Sequence, residues 1–123
     1  MRKGYNILIA DRNPHVRELL RREMTLEGYQ VQLAKTGREV INCVYNQDPL
    51  DLLILDPDLP DTDESFLLKK LGERIPPLPV VVHSFLSENS EQQDVLTTVT
   101  FVEKRGSSID HLKKIVSEIL EKV

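Results

Sequence analysis

Apolar and polar residues change their period along this chain with a regular beat. Ile7-Leu8-Ile9-Ala10 is a short, continuous apolar run, the pattern of a strand buried on both faces. Asn13 followed by Pro14 predicts a helix cap with proline in the first turn. Val16, Leu19, Leu20 and Met24 then recur at helical spacing, and Gly28 ends the helix. Val31 and Leu33 alternate with Gln30 and Gln32 as in a strand, and Thr36-Gly37-Arg38-Glu39 has the spacing of a capping box. Val40, Ile41, Val44 and Tyr45 make one helical stripe. Leu52-Leu53-Ile54-Leu55 is the strongest buried strand, and it breaks off in the acidic loop Asp56-Pro57-Asp58-Leu59-Pro60-Asp61. Phe66, Leu67 and Leu71 predict a third helix closed by Gly72, and Val80-Val81-Val82 a fourth strand. The polar stretch 87–98 takes the place of a fourth helix, 100–104 that of a fifth strand. Ile109, Leu112, Ile115, Val116, Ile119, Leu120 and Val123 line one face of a last helix.

Five strand–helix units with short connections require a parallel sheet covered on both faces, because each crossover must return across the sheet. The length of 123 residues fits one domain, 1–123, with no DNA-binding or catalytic output domain encoded in it, as expected of a stand-alone domain or of an excised part of a longer protein. A single cysteine, Cys43, excludes an internal disulfide and a cysteine metal cluster, which points to a reducing, cytoplasmic setting. No signal peptide follows the basic N-terminus, and no apolar run nears the roughly 20 residues of a membrane span. A net charge of −4 argues against direct nucleic-acid binding.

In open parallel sheets the site lies at the carboxyl ends of the strands. The polar residues there are Asp11-Arg12, Asp56 and Asp58, Ser84, and Lys104. A carboxylate after the central strand, a hydroxyl after the fourth and a lysine at the fifth describe phosphoryl transfer onto Asp56. Ser84 would donate to a phosphoryl oxygen, and Lys104 would neutralise charge. Each has a plainer reading: Asp11 and Asp56 as turn residues, Lys104 as an exposed strand end. His15, His83 and His111 lack a metal spacing, and alternation turns His83 away from Ser84.

Over nearly its whole length the chain resembles the receiver domain of two-component response regulators. The residues that carry the resemblance are Ile7-Leu8-Ile9-Ala10-Asp11, Asp51 through Pro60, Pro79-Val80-Val81-Val82-His83-Ser84 and Phe101-Val102-Glu103-Lys104. It implies a flavodoxin-like, doubly wound α/β fold of five parallel strands in the order 2-1-3-4-5, with five helices. It implies Asp56 as phosphoacceptor, with Ser84 and Lys104 assisting, and a histidine kinase or phosphotransfer protein as donor. Output to a downstream protein, or self-association, would use the face of helix 4, strand 5 and helix 5, where Phe101 holds the place of a switching aromatic. Such a domain is modified rather than being an enzyme.

Several residues depart from the family pattern. The resemblance implies Mg2+ at Asp11, Asp56 and Asp58, held weakly or not at all, because Arg12 replaces a usual carboxylate ligand. Arg12 has two placements: an internal cation that substitutes for the metal, or a solvated residue of the first helical turn. Pro57 lacks an N–H, Phe85 crowds the pocket after Ser84, and Glu64 stands in place of a glycine. These departures keep open a pseudo-receiver, a protein-binding module that works without phosphate. A third reading, a haloacid-dehalogenase-type phosphatase, rests on Asp56-Pro57-Asp58 alone.

Overall fold

The apolar runs become the strands of one sheet. A computed structural model describes residues 4–46, 48–85 and 99–121. The strands are β1 Asn6–Ala10, β2 Gln30–Ala34, β3 Leu52–Leu55, β4 Val80–Ser84 and β5 Val99–Glu103. Four helices occur among the described residues: α1 Pro14–Leu26, α2 Gly37–Tyr45, α3 Glu64–Gly72 and α4 Ser108–Glu121. The helix expected at 87–98 lies outside the described residues, so α4 is the fifth helix of the sequence reading.

All neighbouring strands pair in parallel, in the order β2-β1-β3-β4-β5. Alternation splits each strand between two cores. Leu8, Leu53, Leu55 and Val82 pack under α2 and α3 with Val40 and Leu67. Ile7, Ile9, Ile54 and Val81 face α1 and α4, meeting Leu20 and Leu112. The central strands are apolar throughout because both of their faces are covered.

Local signals set the helix starts. The Asn13 side chain accepts from the amides of His15 and Val16, and Thr36 accepts from that of Glu39. Glu39 Oε1 reaches back to the amide of Lys35 at 2.7 Å, one residue before the Thr36 cap. Asp63 caps α3 through the amide of Phe66, so this helix begins ahead of its apolar stripe. Gly28, at φ 99°, supplies the left-handed turn that leads from α1 into β2. Phe101 is half-buried and packs against the core under α2 and α3.

Candidate functional site

The chain runs from β1 to β2 on one side and from β3 outward on the other, so the direction of winding reverses between β1 and β3. Asp11 and Asp56 stand one residue past the ends of these two strands. Sheet pairing carries on into both: the Asp11 amide donates to Ala34 O at 3.2 Å, the Asp56 amide to Ala10 O at 2.9 Å. Both side chains are buried.

Lys104 follows β5, and its amide donates to Ser84 O at 2.7 Å. Its Nζ donates to Asp56 Oδ2 at 2.6 Å and to Asp11 Oδ2 at 2.8 Å. Only 8% of the Lys104 side chain is exposed. Burial works against its charge, but the hydrogen bonds and the negative charges of Asp11 and Asp56 prevail and hold the ammonium above the usual lysine value. Three residues distant in the sequence thus form one buried charge cluster.

The remaining oxygens are also engaged. Asp11 Oδ1 accepts from the Asn13 amide at 2.9 Å, and Asp56 Oδ1 from the Asp58 amide at 2.9 Å. Ser84, half-buried at the end of β4, lines an open cleft of about 520 Å³ with Asp56, Pro57, Asp58, Glu64 and Phe85. Of the sequence-nominated residues, Asp11, Asp56, Ser84 and Lys104 gather at this end of the sheet. Asp58 borders the cleft with a carboxylate that is 82% exposed.

Arg12 takes neither expected place in full. It is half-exposed, yet it crosses to the β3 loop, where its Nε donates to Asp58 O at 3.0 Å and Nη2 lies 3.6 Å from Asp58 Oδ1. Its ion-pair partner is Asp58, while Asp11 and Asp56 share Lys104. Among the described residues, no three or more His, Cys, Asp or Glu side chains are grouped so as to hold a metal ion. Asp58 turns its carboxylate outward, and its carbonyl accepts from the Arg12 guanidinium, a cation already placed on one oxygen of the site.

Three features had no clear sequence signal. The exposed Phe85 ring lies 5.0 Å from Lys104 Nζ, a cation–π contact rather than a plug. Glu64 opens α3, and its buried Oε2 has no hydrogen-bond partner; burial, then the Asp56 charge, push this carboxyl above its ordinary range. His83 faces away from Ser84, as alternation requires, and its Nε2 lies 3.1 Å from Ser108 Oγ at the start of α4. A second hollow, about 620 Å³ between α2 and α3, includes none of the nominated residues.

Comparison with known proteins places this geometry. A family model described as the response regulator receiver domain matches residues 7–117. That span includes the Asp56-Pro57-Asp58 segment on which the phosphatase reading rested. Response regulator RR06 of Streptococcus pneumoniae is 34% identical over 90 residues, which are 73% of this chain and 41% of that protein. The match therefore spans about two-fifths of the relative's length. The response regulator TrrA of Thermotoga maritima, solved with Mg2+-BeF, superposes with a TM-score of 0.83 at 24% identity. The alignment covers 94% of this chain and 99% of that one. TrrA has also been solved in complex with the histidine kinase ThkA; that structure matches with a TM-score of 0.82 at 25% identity, over 94% of this chain and 98% of the matched one. The doubly wound sheet, the buried Asp11–Lys104–Asp56 cluster and the family match over residues 7–117 lead to one conclusion: this chain belongs to the response regulator receiver domain family of two-component signalling.

Proposed function

We propose that Asp56 accepts a phosphoryl group from a histidine kinase or a phosphotransfer protein. The observation that carries this reading is Lys104 Nζ, held 2.6 Å from Asp56 Oδ2 within a cluster buried at the carboxyl end of the sheet. A carboxylate oxygen of Asp56 attacks phosphorus, the bond from phosphorus to the donor imidazole nitrogen breaks, and its electron pair stays on the imidazole. Lys104 offsets charge on the transferring group, and Ser84 donates to one of its oxygens. The chain is then the substrate of its donor rather than an enzyme with turnover. The same geometry favours a phosphoaccepting domain over a module that only binds protein, since a binding surface needs no buried lysine shared between two carboxylates.

Mg2+, the family's metal, binds weakly or not at all at Asp11, Asp56 and Asp58. The outward Asp58 carboxylate and the guanidinium on its carbonyl support this. Output passes through the side of the sheet where β5 and α4 lie, toward a downstream protein or a second copy. The setting is cytoplasmic; among the described residues no helix is long and apolar enough to cross a membrane.

Intact-mass spectrometry after incubation with acetyl phosphate and Mg2+ tests the acceptor. The expected result is a gain of one phosphoryl group that is lost in Asp56→Asn. No gain, or an equal gain in the variant, would sink the assignment.

A further inference from the structure

The acceptor carboxylate has a second cation one residue away. Asp58 is the joint: its amide donates to Asp56 Oδ1 at 2.9 Å, and its carbonyl accepts from Arg12 Nε at 3.0 Å. A single residue therefore connects the guanidinium to the acceptor. The terminal nitrogens of Arg12 are lightly engaged, with Nη2 3.6 Å from a carboxylate that is itself 82% exposed. Exposed pairs of this kind are weak and easily exchanged for another anion.

The charge on the site calls for such a cation. Lys104 alone faces two buried carboxylates, and Asp58, Asp63 and Glu64 also line the cleft. A phosphoryl group arriving at Asp56 brings further negative charge into this excess. A divalent ion would relieve it, but the Arg12 guanidinium is already placed on one oxygen of the site. A guanidinium is permanently charged, and its planar fork matches pairs of phosphoryl oxygens.

We propose that Arg12 replaces the metal in the chemistry itself. Its terminal nitrogens leave the Asp58 carboxylate and bind oxygens of the group delivered to Asp56, so two side-chain cations, Arg12 and Lys104, hold the anion without a divalent ion. This rests on the reading of Asp56 as acceptor. With acetyl phosphate as donor, an Asp56 oxygen forms the new bond to phosphorus. The bond from phosphorus to the acetate oxygen breaks, and its electron pair leaves with acetate. Arg12 transfers no proton and remains charged throughout.

The test measures acetyl phosphate labelling by intact mass for the wild type, Arg12→Ala and Arg12→Asp, each in EDTA and in Mg2+, with melting curves to verify folding. The wild type should label at the same rate in both solutions. Arg12→Ala should slow by roughly 10- to 100-fold in EDTA, the effect of losing one hydrogen bond to a charged group. Arg12→Asp should label only with Mg2+. In EDTA, beryllofluoride should raise the melting temperature of the wild type and leave that of Arg12→Ala unchanged. Wild-type labelling that requires Mg2+, undiminished labelling of Arg12→Ala in EDTA, or no wild-type response to beryllofluoride would each overturn the proposal. If the wild type labels with Mg2+ but not in EDTA, the acceptor reading stands and the role of Arg12 falls. If no protein labels at all, both fall.

Discussion

Lys104 and His83 are basic side chains set into the same end of the sheet, and burial acts on each. The Lys104 ammonium lies between Asp11 and Asp56, whose charges outweigh the loss of water and hold it protonated. His83, on the opposite face of β4, has the Ser108 hydroxyl at 3.1 Å, and its Nδ1 is buried with no hydrogen-bond partner. Burial, reinforced by the positive charge of Lys104 and opposed by the negative charge of Asp56, lowers the His83 pKa to about 4. One environment thus keeps one base charged and the other neutral. The charge of the nearest partner decides which, because desolvation works against the cation in both.

Removing the lysine tests the charged half and should give the largest effect. Lys104→Met leaves Asp11 and Asp56 buried together without a cation, and urea unfolding at neutral pH without divalent metal should show a loss of about 3–5 kcal/mol. Adding Asp56→Asn removes one of the two charges, and coupling of roughly 0.5–3 kcal/mol should be recovered. A loss within about 0.5 kcal/mol for Lys104→Met would mean that the cluster is hydrated and the contrast with His83 is false.

The neutral half is tested by acid. The folded state holds His83 near 4, against 6.5 when unfolded, so between these values the unfolded chain binds the extra proton. The stability contributed by neutral His83 is therefore complete above pH 6.5, falls as pH drops toward 4 and then levels off. The full shift corresponds to roughly 3 kcal/mol at most. Denaturation midpoints measured across this range should lose that slope in His83→Val. An unchanged slope in the variant would assign the acid sensitivity to the carboxylates instead.

The same distinction separates what was legible in the sequence from what was not. Continuous apolar runs announced β1, β3 and β4, since a strand buried on both faces has no polar positions to spare. Chain order and the crossover rule brought Asp11, Asp56, Ser84 and Lys104 to one end of the sheet. Asn13 and Thr36 announced their helices because capping is local. The expected β5 extended one residue further, to Lys104, because that lysine turns off the strand to reach its carboxylates. Contacts made through long side chains were not legible. Nothing local tells Arg12 to cross to the Asp58 carbonyl, Phe85 to cover Lys104, or His83 to find Ser108. Each depends on loops that meet only after the sheet has formed.

Arg12 supplies the third case, a basic residue in contact with water, and the smallest expected effect. Its contact with Asp58 is half-exposed on one side and 82% exposed on the other, so solvent screens most of the attraction. Arg12→Ala should therefore change stability by no more than about 1 kcal/mol, and its coupling to Asp58→Ala should lie in the range of 0.2–1 kcal/mol typical of exposed pairs. Raising the salt concentration should weaken that coupling, whereas the Lys104 cluster, shielded from ions, should respond far less. The informative comparison is Arg12→Ala with Asp56→Asn. An internal Arg12 compensating the buried carboxylates would be coupled to Asp56 as strongly as Lys104 is. The geometry instead routes Arg12 through the Asp58 peptide, so the two changes should add to within about 0.5 kcal/mol. Coupling well above that, insensitive to salt, would place the guanidinium inside the pocket and make Arg12 a second buried cation alongside Lys104.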